Sequence, residues 1–251
     1  GAVWVIPTVG ELQFDRVTSV PSGEFGDGAQ AVVADDGATW VVSVQDSALM
    51  RVLGPGAVPE RMLDLTLDDF ELTAVGDQPV ILDRDANEIV KADGGRIALP
   101  APGMRIQQPG AAADSVLVAT GDSLLRVGFG GQVEQFDGGA STANEPDAVA
   151  APVVLGECLH GAWSNSGRYL GVCDGEEPTT ADVPISAASE LVFRVNRNVI
   201  ALNDVVVGDV WLVSENMRLV ENWDEVTPPD LEEGEEGDET TSTQTFEDTL
   251  A

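Results

Sequence analysis

Residues 38–53 read ATWVVSVQDSALMRVL. Two short apolar runs flank a polar turn. Neither run sustains the i, i+3, i+4, i+7 spacing of an amphipathic helix, so the stretch reads as strand, turn, strand. The same arrangement recurs as VWVIPTVGELQFDRV (3–17), PVILDRDANEIVKA (79–92), SVLVATGDSLLRVG (115–128), CLHGAWSNSGRYLGVC (158–173) and VWLVSENMRLVENW (210–223). The turn centres fall near residues 8, 46, 85, 121, 165 and 215, giving steps of 38, 39, 36, 44 and 50. A recurring hairpin at about 40–50 residues is the period of a propeller blade. Further apolar runs beside the hairpins, AVVA (31–34), LTAV (72–75), VVLG (153–156) and QVEQF (132–136), bring each period to three or four strands. A blade cannot bury both faces alone, so blades must stack around an axis. Two β-sandwiches would also need closely spaced strands, but not this repeat. The expectation is an all-β fold, a β-propeller of about six blades with a range of five to seven. The first and last pairs resemble each other, and the first has no room for a preceding inner strand. Either the C-terminal part completes the first blade or a strand lies upstream of Gly1.

From Thr227 the character changes to TPPDLEEGEEGDETTSTQTFEDTLA. Pro-Pro closes the last strand, and acids, Thr, Ser and Gly follow with few apolar residues. The expected organisation is a propeller domain over 1–226 and an acidic, flexible linker or tail over 227–251.

The chain of 251 residues carries 44 acids against 12 bases, a net charge of −32. Eleven acids lie at or after Asp224, but residues 1–223 are acidic as well, with 33 acids for all 12 bases. Such a field repels nucleic-acid phosphates and anionic lipid heads, and favours basic partners and solubility. No apolar run of about 18 residues is present, so no transmembrane helix is expected within the chain. An export signal, if used, lies upstream or has been removed.

The hairpin at 158–173 holds both cysteines, the only histidine and the only tyrosine of the chain. A four-residue loop, SNSG, pairs Trp163 with Arg168 and sets Cys158 opposite Cys173. Opposed antiparallel residues have Cα atoms about 4.5–5.5 Å apart, a separation that suits a disulfide. Strand alternation places Cys158, His160 and Ala162 on one face with Tyr169, Gly171 and Cys173, and Leu159, Gly161 and Trp163 on the other with Arg168, Leu170 and Val172. A zinc site on Cys158, His160 and Cys173 lacks a fourth Cys or His, so the disulfide is the expected state.

Other chemical candidates read as structure. Asp83, Asp85 and Asn87 in LDRDANEIV look like a calcium loop, but Glu88 and Gly94 stand where an EF-hand needs Gly and Glu; a hairpin tip explains them. The acid clusters LDLTLDDFEL (63–72) and CDGEEP (173–178) read as solvated loops, with a weak Ca²⁺ site or paired carboxylates for glycoside chemistry as the alternatives. GFGGQ (128–132) lacks the Lys of a phosphate loop and reads as a turn. Trp4, Trp40 and Trp211 read as blade-to-blade packing, and Asn196, Asn198, Asn203 and Asp204 as strand caps. No catalytic, metal or cofactor set emerges.

The segment VNRNVIALNDVVVGDVWLVSENMRLVENWDEVTPP (195–229), the opening GAVWV and the CLHGAW…YLGVC hairpin resemble the N-terminal extracellular part of large actinobacterial fibronectin type III or Ig-like repeat surface proteins. The resemblance implies an extracellular, membrane-tethered location, with the membrane helix upstream of this chain. It carries no catalytic residues across. Loops 102–114 and 174–188 lie outside the pattern. The expected function is a non-catalytic interaction or spacer module whose partner is a protein or cell-envelope component. The alternative is a propeller enzyme acting on cell-wall or extracellular glycans, which requires paired acids facing each other across the axis with Arg or His beside them.

Overall fold

The computed structural model describes residues 2–3, 23–54, 57–139 and 143–220. The opening pair at 3–17, apart from Val3, and the segment 227–251 lie outside the described residues. Contacts divide the chain into Gly1–Leu219 and Val220–Ala251, and all elements named here belong to the first unit.

Among the described residues five four-stranded antiparallel sheets follow one another in sequence. Two short strands precede them: β1 (Ala2–Val3) pairs with β2 (Gly23–Glu24). Blade I comprises β3 (Gln30–Val33), β4 (Thr39–Ser43), β5 (Ala48–Val52) and β6 (Glu60–Asp64). Blade II comprises β7 (Phe70–Val75), β8 (Gln78–Asp83), β9 (Glu88–Lys91) and β10 (Arg96–Ala98). Blade III is β11 (Arg105–Ile106), β12 (Ser115–Ala119), β13 (Ser123–Gly128) and β14 (Val133–Asp137). Blade IV is β15 (Val153–Leu155), β16 (Cys158–Trp163), β17 (Arg168–Cys173) and β18 (Thr179–Asp182). Blade V is β19 (Leu191–Asn196), β20 (Val199–Asp204), β21 (Val210–Leu212) and β22 (Arg218–Leu219). Within each blade every strand pairs with its sequence neighbour.

The hairpins expected at 38–53, 79–92, 115–128 and 158–173 are the second and third strands of blades I to IV. In blade V the phase slips. The pair at 210–223 supplies the third and fourth strands, while 191–204, which includes the expected caps Asn196, Asn198, Asn203 and Asp204, forms the first and second. The loop between second and third strands of blade V is centred near residue 207, about 42 beyond 165, and this removes the anomalous last step of 50.

First strands line the axis. β3 lies against β7 and β7 against β11. Side chains reach between them: Gln30 Nε2 donates to Phe70 O (2.7 Å), and its Oε1 accepts from Leu72 N (2.9 Å). Between blades the core is apolar and divides by interface. Trp40, Val42 and Leu49 of blade I meet Phe70, Ala74 and Ile81 of blade II. Leu117 and Leu124 of blade III meet Leu159, Trp163 and Leu170 of blade IV. Ala162 and Tyr169 of blade IV meet Phe193, Leu202 and Trp211 of blade V. Trp40 and Trp211 are thus packing residues, although they stand on second and third strands respectively.

The blades have two ends, here called upper, bearing the loops between second and third strands, and lower, bearing those between first and second. A buried polar residue sits at, or one residue past, the upper end of every second strand: Ser43, Asp83, Thr120, Ser164 and Asp204. Their steps are 40, 37, 44 and 40. Each oxygen accepts backbone amides that strand pairing leaves open. Asp83 takes Ala86 N (2.9 Å), Thr120 takes Ser123 N (3.0 Å), and Ser164 takes Leu191 N (2.8 Å) from the next blade. Buried amides must find partners, and a short polar side chain at a strand end supplies one locally.

Candidate functional site

The β16–β17 hairpin has the register its spacing implies: Trp163 opposes Arg168 and Cys158 opposes Cys173. The two cysteines form a disulfide with Cα atoms 4.1 Å apart, close to the narrow pairs of an antiparallel ladder. Their sulfurs are therefore not available as zinc ligands.

His160 lies on the face of the cystine, opposite Gly171. Its Nδ1 is 2.8 Å from the hydroxyl of Tyr169. Tyr169 stands two residues from Gly171 on the same strand face, and a Cβ on residue 171 would lie 2.6 Å from the Tyr169 hydroxyl. Glycine at that point is what lets the phenol reach across the strand to the imidazole. Tyr169 then meets Phe193 of blade V edge-on, with ring centroids 6.4 Å apart. A lower-end cleft of about 430 Å³ between blades IV and V opens onto His160, Tyr169, Cys158 and Cys173, with Glu176 and Asn198 among its other walls.

Electrostatically the pair is quiet. Burial lowers the His160 pKa from 6.5 to about 4, so the ring is neutral at physiological pH. Burial also raises the Tyr169 pKa, which keeps the hydroxyl protonated. A neutral His hydrogen-bonded to a neutral phenol is a weak base beside a weak acid, and neither charge state is poised near neutrality.

Paired acids near the axis are the requirement of the enzymatic alternative, and one set approaches it. Glu71 on β7 receives Ile106 N on one oxygen (2.8 Å) and meets Arg105 Nε with the other (2.6 Å). Arg84 bridges Glu71 (3.7 Å) to Asp69 (2.6 Å). Both oxygens of Glu71 are thus engaged. Blade I shows what the bond to the next blade is for. Gln30 performs there, without charge, what Glu71 performs in blade II: it accepts an amide from the first strand of the following blade. The role they share is hydrogen-bond acceptance. Sequence reading passes over Gln30 and takes Glu71 only as part of a solvated loop at 63–72, whereas Glu71 stands on β7; a clamp between first strands is visible only once the blades are phased, and the step of 41 between the two residues is its signal.

The remaining candidates resolve locally. Asp85 Oδ2 accepts from Asp69 N, Asn87 Nδ2 donates to Leu99 O and Asn87 Oδ1 accepts from Gly103 N, so the Asp83–Asn87 stretch is a hydrogen-bonded hairpin tip. Asp174 of the second acid cluster pairs with Arg126 (2.9 Å). Asp204 caps a loop, taking Val206 N (3.0 Å), Val207 N (3.2 Å) and Glu190 N (3.4 Å). Burial works to raise its pKa, but hydrogen bonds from the Ser189 hydroxyl and these amides outweigh it and hold the carboxyl below its ordinary value. Gly131 takes φ +95° in the loop at 129–132, a turn as expected. Among the described residues no three His, Cys, Asp or Glu side chains are grouped to hold a metal ion, and no helix is long and apolar enough to cross a membrane.

Solved structures decide the fold class. Virginiamycin B lyase of Staphylococcus aureus superposes with a TM-score of 0.56 at 12% identity, over 76% of this chain and 67% of the lyase. The chain is a β-propeller. A streptogramin B lyase gives 0.56 at 14% identity over 81% and 70% of the two chains. Hsv2 of Kluyveromyces marxianus gives 0.51 at 12% identity over 76% and 59%. At such identities the likeness establishes the propeller and carries no residue or activity across. No family model and no curated protein matches the chain.

Proposed function

We propose that the chain is a non-catalytic, extracellular β-propeller module of a membrane-tethered bacterial surface protein, serving as an interaction or spacer domain. One observation carries the reading. The reactive residue types that come together are already committed to the fold: Cys158 and Cys173 to each other, His160 to Tyr169, and Glu71 to Ile106 and Arg105. The cystine supports an oxidising compartment, and the acidic body supports a soluble, well-hydrated surface that attracts basic partners. Incubation of the chain with peptidoglycan and soluble glycans is expected to release no product above buffer. Turnover that vanishes in Glu71→Gln would overturn the reading. Protease shaving of intact cells of the source organism is expected to remove the domain; complete protection would place it elsewhere.

A further inference from the structure

The loop between β20 and β21 differs from its counterparts. Blades II, III and IV carry Arg84-Asp85-Ala86-Asn87, Gly121-Asp122 and Ser164-Asn165-Ser166-Gly167 at this position. Blade V carries Val205-Val206-Val207-Gly208, with the three valines 46%, 55% and 55% exposed. Blade I has a single exposed valine, Val44, followed by Gln45 and Asp46. Three consecutive exposed valines are not forced by the fold, because polar loops serve the same turn in blades II to IV.

The loop is held firmly in this display. Asp204, 2% exposed, binds the amides of Val206, Val207 and Glu190. Val205 N donates to Glu190 O (3.0 Å), Asp204 N to Asp209 O (2.9 Å) and Gly208 N to Asp204 O (2.8 Å). The main chain is fixed while the apolar side chains stay in water, which lowers the ordering cost of binding. At the same end Glu190, which accepts the Val205 amide, joins Glu145 in rimming a cleft of about 900 Å³ over the blade IV residues Ser164 and Asn165. Asp209 flanks the valines on the other side. No Lys or Arg lies in 198–217, and upper-end Arg168 is paired with Asp182.

We propose that this loop is a preformed contact finger for a partner protein presenting an apolar surface flanked by Lys or Arg. The valines supply the apolar contact, and the acidic rim selects the basic surround. A second copy of the chain is disfavoured, because it would set one acidic rim against another in a molecule of net charge −32. The acidic segment 227–251 is disfavoured for the same reason. The proposal rests on the interaction-module reading and names its surface.

The test uses a labelled amphipathic peptide of Leu and Lys and its Leu/Glu counterpart, titrated into the 251-residue chain at about 150 mM salt, where long-range attraction is screened. The Leu/Lys peptide is expected to bind and the Leu/Glu peptide not to. Replacing Val205, Val206 and Val207 together by Ser is expected to weaken binding at least about tenfold, with an unchanged circular dichroism spectrum. Replacing exposed Leu53 and Val58 by Ser is expected to leave binding unchanged. Equal binding by the triple variant reduces the effect to general attraction to an acidic protein and overturns the finger, as does absence of binding by the wild type. Concentration-dependent dimerisation lost in the triple variant would assign the surface to a second copy instead. None of these outcomes depends on glycan turnover, which tests the interaction-module reading separately.

Discussion

The two faces of the β16–β17 hairpin share out twelve strand residues, six to each, and do opposite things. Toward blade III it presents Leu159, Trp163, Leu170 and Val172, which close-pack with Leu117, Ala119 and Leu124. Trp163 is fully buried, and its indole N–H donates to Thr120 O across the blade boundary (2.8 Å). Toward blade V it presents the cystine, His160, Tyr169 and Gly171, and leaves a cleft. The crowding of Cys, His and Tyr in one short stretch therefore records one face of the hairpin, which carries its polar and sulfur groups together. Adjacent strand residues point to opposite faces, so the alternation that sends Trp163 to the packed face gathers Cys158, His160, Tyr169 and Cys173 on the other.

The sharpest way to break the comparison is on the packed side. Trp163→Ala removes a filled volume and leaves Thr120 O without its donor, and is expected to cost about 3–5 kcal/mol in chemical denaturation. Gly138 reinforces the point, since a Cβ there would stand 2.4 Å from the indole ring. A cost below about 1 kcal/mol would mean that the blade III–IV interface is looser than its burial implies.

The polar face should show itself through pH. The folded His160 pKa lies at about 4, below its ordinary 6.5. Above about pH 6.5 the ring is neutral in both states and the native state keeps its full stability. As the pH falls from 6.5 to 4 the unfolded chain binds a proton that the folded chain refuses, and stability declines. The total loss is on the order of 3 kcal/mol. His160→Gln removes the titration, so wild type minus variant should fall over that window. Carboxylate titration, common to both proteins, cancels in the difference. A flat difference would place His160 in contact with water.

Reducing the cystine is expected to cost less. A loop of about 15 residues gives about 3 kcal/mol as the chain-entropy limit, and the six ladder pairs of β16 with β17 already restrain the same loop. The melting temperature in reductant should drop, and Cys158→Ala with Cys173→Ala should match that drop with no further response to reductant. Two free thiols measured in the oxidised protein would remove both the clasp and the support it lends to an exported location.

Much of this is legible in the sequence itself. The hairpin register, the cystine partners and the division of faces follow from one loop length and strict alternation. Blade phase was harder. The opposite pairs of blades I to IV are strong apolar runs, but the first strand of blade V, LVFRVN, carries Arg194 and Asn196 beside its apolar residues. The apolar signal therefore shifts to VWLVSENMRLV, one strand too late. The series Ser43, Asp83, Thr120, Ser164, Asp204 would have corrected it, because an upper-end cap must recur with the blade even when apolar runs drift. The Gln30 and Glu71 clamps need the blade phase first: their partners lie on the following blade, at a distance that alternation within one hairpin does not encode, and only their step of 41 marks them.

The smallest effect is the one that bears most on function. Glu71→Gln keeps the acceptor for Ile106 N, as Gln30 keeps one for Leu72 N, and gives up only ion pairs that are partly exposed. Such pairs contribute about 0–1 kcal/mol, so the variant should melt within a few degrees of the wild type. Glu71→Ala should cost more, because it strands the amide of Ile106, which is 3% exposed. If Gln rescues what Ala loses, the carboxylate serves the fold as an acceptor and its charge is incidental. If Gln is as damaging as Ala, the charge itself matters, and the contrast between a structural axis and a reactive one would have to be drawn at Glu71 rather than at His160.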